Sequence, residues 1–358
     1  MGRTLGAGQA KAASLPDYAS HWVAAQAYPM LVMHRGTNAV GLLVCDLTTT
    51  DIARLDFYEG GFGYTLRSVS VETANGAQQA QVYFPDHPLA KGDVWNLADW
   101  VADWGEMTLC AAHEAMGYFG QITADELTRR FETIRLRAAS YQSGQAEVGR
   151  KALTNRRDVT VLAQRTPYSN FYTLQEFDLH HRRFDGGVSD QMERAAFIGF
   201  DAAIVLPYDP KRDCVLLIEQ FRVGAYARGE NQPWLLEAVA GHIDLGETPE
   251  QAAMREAQEE AGLQLQKLIP INQAYPSPGA STEYFHIFLG LCDLDGAGGT
   301  TAGLHSEQED IHSHILTFDA AMELAAGKGP YRGGANVLPL ITAIYWLAIN
   351  RDRLRKDA

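Results

Sequence analysis

The sequence predicts an α/β protein built as two domains: a smaller mixed α+β unit, then a larger one in which strands and helices alternate. Three observations predict it. The chain has 358 residues, more than the roughly 150 that one hydrophobic core usually serves. In the second half, apolar runs of strand length alternate with a capped helical segment. Between the halves, residues 140–155 are polar and contain Gly144 and Gly149. That stretch sets the boundary near residue 154 and gives domains 1–154 and 155–358.

In the first domain, residues 42–44, 68–71 and 80–83 carry strand patterns, with Gly60, Gly61, Gly63 and Gly76 as punctuation. Residues 93–150 change to helical spacing, as in Leu127, Phe131 and Ile134. In the second domain, residues 202–206 and 215–218 predict strands joined by a turn at Asp209 and Pro210. Residues 234–243 predict a further strand, followed by a helix and then by strands at 284–289 and 313–318. Residues 296–303 form a glycine-rich loop. The apolar run at 337–349 predicts a buried C-terminal helix, too short to span a bilayer.

Composition narrows the function. The net charge of −14 offers no bulk attraction to nucleic acid or an anionic membrane. An anionic substrate then needs local cations, either arginines or a bound metal. Cys45, Cys110, Cys214 and Cys292 are too dispersed for a zinc site or a disulfide framework. Reduced thiols and an N-terminus without an apolar signal core predict a cytoplasmic protein.

The most informative segment runs from Gly241 to Leu263. Thr248 suits a helix N-cap, Pro249 the first helical position, and Gln251 completes a capping box. Gly262 stands where a left-handed residue ends a helix. Inside that helix, Glu256, Glu259 and Glu260 stack on one face at i, i+3 and i+4. Three like charges repel, and two of them lie near the negative helix end. A hard divalent cation removes the objection, because Mg²⁺ favours carboxylate and phosphate oxygens. Arg255 can pair with Glu247 and hold the loop to the helix. Gly241 permits a close backbone approach that could aim the Ala240 carbonyl at the metal.

The segment matches every fixed position of G-x5-E-x7-R-E-U-x-E-E-x-G-U, where U is apolar. It thereby resembles the Nudix box. The resemblance implies a Nudix α/β/α sandwich and hydrolysis of a nucleoside diphosphate linked to another group. It implies Mg²⁺, with Mn²⁺ as the alternative, held by Ala240, Glu256, Glu259 and Glu260, with Arg255 and Glu259 in the catalytic machinery.

From about residue 158 to 347 the chain resembles the ADP-ribose pyrophosphatase branch. Residues 219–222, residues 233–237 and residues 277–279 carry the likeness, and Pro278 falls sixteen residues past Gly262. The resemblance implies substrate contacts at Arg222, Arg194, Phe171, Glu237, Ser277, Pro278 and Glu283. It implies Glu307 as general base and Glu309 as an additional metal-site carboxylate. It also implies a homodimer with Phe171 and Arg194 reaching across. Two positions depart from the pattern: Ala195 stands where an acid is common and Gly199 where an arginine is common.

In the first domain, Gly41, Leu42 and Leu43, then residues 55–60 and Tyr64, resemble the γ-glutamylcyclotransferase-like fold, in which the residue matching Glu59 is the acid/base. The family's opening strand and Y-G-[ST]-L substrate loop are missing, with only Arg3, Thr4 and Leu5 resembling the loop's end. Fusion of the two domains resembles the tellurite-resistance-type Nudix proteins.

Overall fold

A computed structural model describes residues 3–6, 8–146, 155–303, 309–328 and 336–357. The chain divides into two compact units, Met1–Gly149 and Arg150–Ala358.

The first unit opens with β1 (Ala10–Val23) and β2 (Pro29–Val44), a long antiparallel pair. Helix α1 (Thr49–Glu59) follows, then the hairpin β3 (Tyr64–Thr73) and β4 (Gly76–Pro85), and the short β5 (Lys91–Val94). The sheet order is β2-β1-β3-β4, with β5 on β1. Leu15, Ala39, Val71 and Phe84 form its core. Helices α2 (Leu97–Trp100), α3 (Glu106–Gly117) and α4 (Ala124–Ala146) occupy the stretch where helical spacing was expected, with a π-helical turn at Val101–Gly105. The strand β1 and helix α1 were not anticipated. Helix α1 is set by local chemistry: Thr48 caps it and Asp51 returns the capping-box bond.

The second unit begins with a separate antiparallel sheet of β6 (Val159–Ser169), β7 (Thr173–His181) and β8 (Met192–Ile198). The main sheet then assembles from β9 (Asp201–Asp209) and β10 (Cys214–Phe221). After α5 (Val223–Arg228) come β11 (Trp234–Glu237) and β12 (Val239–His242). Helix α6 (Pro249–Ala261) precedes β13 (Lys267–Ala274), β14 (Tyr284–Leu291), β15 (Thr301–Ala302) and β16 (Ile311–Thr317). Helices α7 (Phe318–Ala325) and α8 (Leu338–Lys356) close the unit. The order is β13-β14-β9-β10-β16-β15, with β11 on β10 and β12 on β9. Only β9 and β14 pair in parallel among these strands.

Alternation along β9 explains the layering. Ala203 and Val205 face α6, whereas Ile204, Leu206 and Tyr208 face α7 and α8. The sheet is thus sandwiched between helices, as expected from the Nudix resemblance. Ile344 and Leu347 of α8 are fully buried, each stabilising the fold by about 2 kcal/mol. The strand expected at 234–243 is two strands, because the chain leaves β10 at Glu237 and joins β9 at Val239. The strand expected at 313–318 ends one residue early: the Thr317 side chain accepts from Ala320 N and starts α7 at Phe318.

Candidate active site

Helix α6 carries the site, and its ends follow the local rules read from the sequence. Thr248 accepts from Gln251 N while the Gln251 side chain returns to Thr248, Pro249 lies in the first turn, and Gly262 takes φ +64°. The helix therefore starts and stops where its glutamates are needed.

Arg255 ties the preceding loop to the helix. Its Nε donates to Glu247 Oε1 at 2.9 Å, and its Nη2 donates to Glu247 Oε2 and to the His242 carbonyl, each at 3.0 Å. Its Nη1 donates to Glu256 Oε1 at 2.7 Å and to Glu259 Oε2 at 3.0 Å. One guanidinium thus positions three carboxylates, and the half-buried setting strengthens each charge-assisted bond.

Glu260 is 2% exposed and its Oε2 accepts the Ala240 N–H at 3.0 Å. Glu256 lies against Gly241: a Cβ at that glycine would sit 1.8 Å from Glu256 Oε1. Burial pushes the Glu256 carboxyl up to about 7 and the Glu260 carboxyl up to about 8. Glu259 and Glu309 add to the rise at Glu256, and Glu256 and Glu309 add to the rise at Glu260. Arg255 opposes the shift at Glu256, while Ala240 N–H and Arg222 oppose it at Glu260. A Cβ at Gly303, which has φ +109°, would fall 2.7 Å from Glu309 Cβ, so the end of β15 holds Glu309 closely. Glu307 lies outside the described residues.

Among the described residues, no three acidic, histidine or cysteine side chains already converge at metal-ligating distance. Arg255 and the Ala240 N–H hold the glutamate oxygens instead. The donor set nonetheless fits a hard divalent ion. Glu256 and Glu260 are both buried, and there the charged form is disfavoured until a cation balances it.

Beside these glutamates stands a second ion pair. Arg222, following β10, donates from Nε to Glu237 Oε2 at 2.6 Å. Glu237 is opposite Ile218 and buried, which raises its carboxyl pKa against the pull of Arg222. Phe171 is 51% exposed and its ring meets Tyr172, Phe200 and His242, with centroids at 4.9, 5.8 and 6.3 Å. His242 was not singled out from sequence. Burial pulls its pKa below the usual value, with Arg222 and Arg255 acting in the same direction. Its ring meets Phe171 and Phe200, and its backbone carbonyl accepts from Arg255 Nη2. Alternation along β12, which puts His242 on the face opposite the Gly241–Glu256 contact, was the available signal.

The remaining expected residues gather less tightly. Ser277 O accepts from Ala280 N and Ser281 N, closing the turn that contains Pro278. Glu283 Oε2 accepts from the Ser281 hydroxyl at 3.1 Å. Its side chain fills the space over Gly199, where a Cβ would lie 2.5 Å from Glu283 Cγ. That contact explains why position 199 carries no side chain here. Arg194 is exposed on β8 and donates to the Glu193 carbonyl. None of its described contacts joins it to the α6 carboxylates.

In the first unit, Glu59 ends α1, and burial raises its carboxyl pKa. Helix α4 presses on the next turn: a Cβ at Gly61 would lie 2.2 Å from Thr128 Oγ1 and 2.3 Å from the Ala124 carbonyl. Phe131 of α4 stacks edge-on against Tyr58 and Phe62.

Two family models match the chain, the NUDIX domain over residues 200–332 and "Gamma-glutamyl cyclotransferase, AIG2-like" over residues 3–102. The ADP-ribose pyrophosphatase of Haemophilus influenzae is 36% identical over 205 residues, spanning 57% of this chain and 92% of that protein. The GDP-mannose pyrophosphatase of Escherichia coli strain SMS-3-5 is 32% identical over 182 residues, spanning 51% and 93%. A solved chain described as "Crystal structure of ADP compounds hydrolase" aligns at 21% identity with a TM-score of 0.42, covering 58% of this chain and 99% of that one. The chain belongs to the Nudix family of pyrophosphohydrolases, with an AIG2-like unit ahead of the Nudix domain. Within that family its similarity extends to the ADP-ribose pyrophosphatases, of which the Escherichia coli K12 protein is 38% identical over 200 residues, spanning 56% and 92%.

Proposed function

We propose that the second unit hydrolyses the diphosphate of ADP-ribose to AMP and ribose 5-phosphate, with Mg²⁺ as cofactor and Mn²⁺ as its substitute. The observation that carries this reading is the burial together of Glu256, seated against Gly241, and Glu260, held by the Ala240 N–H, with the Glu309 charge acting on both. Glu256, Glu260 and Glu309 would hold the ion, with Glu259 and the Ala240 carbonyl completing its surroundings. Bound there, the ion supplies Lewis acidity and charge neutralisation to the diphosphate.

The chain's own residues do the rest. Arg255 fixes the orientation of Glu256 and Glu259 and braces the loop through Glu247. Arg222, oriented by Glu237, offers its remaining donors to a phosphate oxygen. Phe171 offers an exposed ring for stacking on the base bound by a second copy of the chain. The turn at Ser277 and Pro278, with Glu283, would supply the remaining substrate contacts. Glu307 would accept a proton from the attacking water as its oxygen bonds to phosphorus and the P–O–P bridge breaks.

The exposed Val161, Tyr168 and Phe197 on the β6–β8 sheet, with Phe171 in the turn between β6 and β7, support a homodimer in which Phe171 and Arg194 complete the neighbour's site. Light scattering that gives a monomer with full activity would remove that part. No described helix is long and apolar enough to cross a membrane. The four free cysteines support a cytoplasmic setting.

The 32% identity to a GDP-mannose pyrophosphatase favours a second reading, a different nucleoside diphosphate sugar. The deciding experiment is product analysis on a panel of such sugars with Mg²⁺, with EDTA, and with Glu260→Gln. That variant keeps an acceptor for the Ala240 N–H. AMP from ADP-ribose, abolished by EDTA and by the variant, is expected. Undiminished turnover by a well-folded Glu260→Gln protein would rule out the metal assignment.

A further inference from the structure

Gln220 is polar where the fold asks for an apolar residue. It lies on β10 two residues beyond Ile218 and opposite Leu235 of β11. It therefore shares the sheet face of Leu216 and Ile218, which pack in the cluster with α6. Glu237, opposite Ile218, is on the same face one pleat away, and Arg222 follows two residues later. Gln220 is only 7% exposed, and its Nε2 has no hydrogen-bond partner among the described residues. An enclosed donor without an acceptor weakens a fold, and a leucine of similar size would not. Retaining the amide at that cost points to an acceptor that arrives with a ligand.

We propose that the Gln220 carboxamide is a substrate-binding group, donating to a sugar hydroxyl oxygen of the bound nucleoside diphosphate sugar beside Glu237. The inference rests on the reading of the site given above and names one contact within it. A hydroxyl both donates and accepts. Glu237 keeps Oε2 on Arg222 and can accept the hydroxyl proton through its other oxygen, while Gln220 donates to the hydroxyl oxygen. A phosphate oxygen fits this corner less well, because it would face the Glu237 carboxylate.

The test compares the wild-type protein with Gln220→Leu and with the isosteric Gln220→Glu. AMP release from ADP-ribose at fixed Mg²⁺, ADP-ribose binding by calorimetry in EDTA, and the thermal midpoint are measured for each. The expected result for Gln220→Leu is a KM and a Kd raised about tenfold, little change in kcat, and a melting temperature at or above wild type. Gln220→Glu should lose affinity at least as strongly, since it replaces the donor with an acceptor. Unchanged KM and Kd in both variants overturn the proposal. So does a melting temperature that falls while affinity holds, since that marks a structural amide. Absence of AMP from a wild type that still binds ADP-ribose would instead count against the ADP-ribose hydrolysis reading, and the calorimetric comparison would decide the Gln220 contact; a wild type that does not bind ADP-ribose would overturn both.

Discussion

Gly241 shows how one absent side chain shapes the site. A Cβ there would stand 1.8 Å from Glu256 Oε1, so Gly241→Ala must displace the carboxylate or part β12 from α6. Overpacking of this kind costs about 1–3 kcal/mol. The variant should unfold at lower urea and release AMP far more slowly. A Gly241→Ala protein with wild-type stability and rate would show that Glu256 is free to move and that the close approach has no function. The carboxylates themselves were legible in the sequence, because i, i+3 and i+4 spacing on a capped helix is local information. His242 and Gln220 were not. His242 ends an apolar strand and Gln220 follows Glu219 near the end of another, and the meaning of each depends on which face the register gives it and on neighbours distant in sequence.

At the scale of elements, the same contrast between local and distant information separates what the sequence revealed from what it hid. Helix α6 ends where Thr248, Pro249 and Gly262 require. Helix α8 fills the expected apolar run and continues to Lys356. The strand expected at 234–243 instead splits at Ala238, because its two halves pair with different partners, β10 and β9. No local propensity encodes that exchange. The β6–β8 sheet was missed because its outer strands β6 and β8 are largely exposed and its strands lack clean apolar alternation. Helix α1 yields a prediction that is independent of catalysis. The Arg3 guanidinium and the Thr48 N–H and hydroxyl hold the Asp51 carboxyl well below the usual carboxylate range. A folded pKa below the unfolded value of about 3.9 gives stability that is present above that pH and fades as pH falls through the folded pKa. The first unit's urea midpoint should therefore drop on acidification, and Asp51→Asn should lower it at neutral pH while flattening the acid decline. Equal acid slopes for the two proteins would remove Asp51 from the account.

For the whole molecule, the two units differ in what they bring to chemistry. The second holds a core on each side of its main sheet and all the carboxylates of the candidate site that are described. The ADP-ribose pyrophosphatase of Haemophilus influenzae aligns over 92% of its own length to only 57% of this chain, so a relative manages without the AIG2-like unit. In the first unit, Glu59 directly precedes a turn on which α4 is packed too tightly to leave room for a Cβ at Gly61. These facts together predict that residues 155–358, produced alone, fold cooperatively and hydrolyse ADP-ribose with a kcat/KM of the same order as the full chain. The net charge of −14 sharpens the expectation, since a small anionic substrate gains nothing from the bulk field and depends on cations within the site. The fragment's rate should accordingly follow Mg²⁺ concentration as the full chain's does. A fragment that folds, binds Mg²⁺ and yet releases no AMP would show that the first unit supplies part of the active machinery. In that case the division of labour drawn from the relatives would fail.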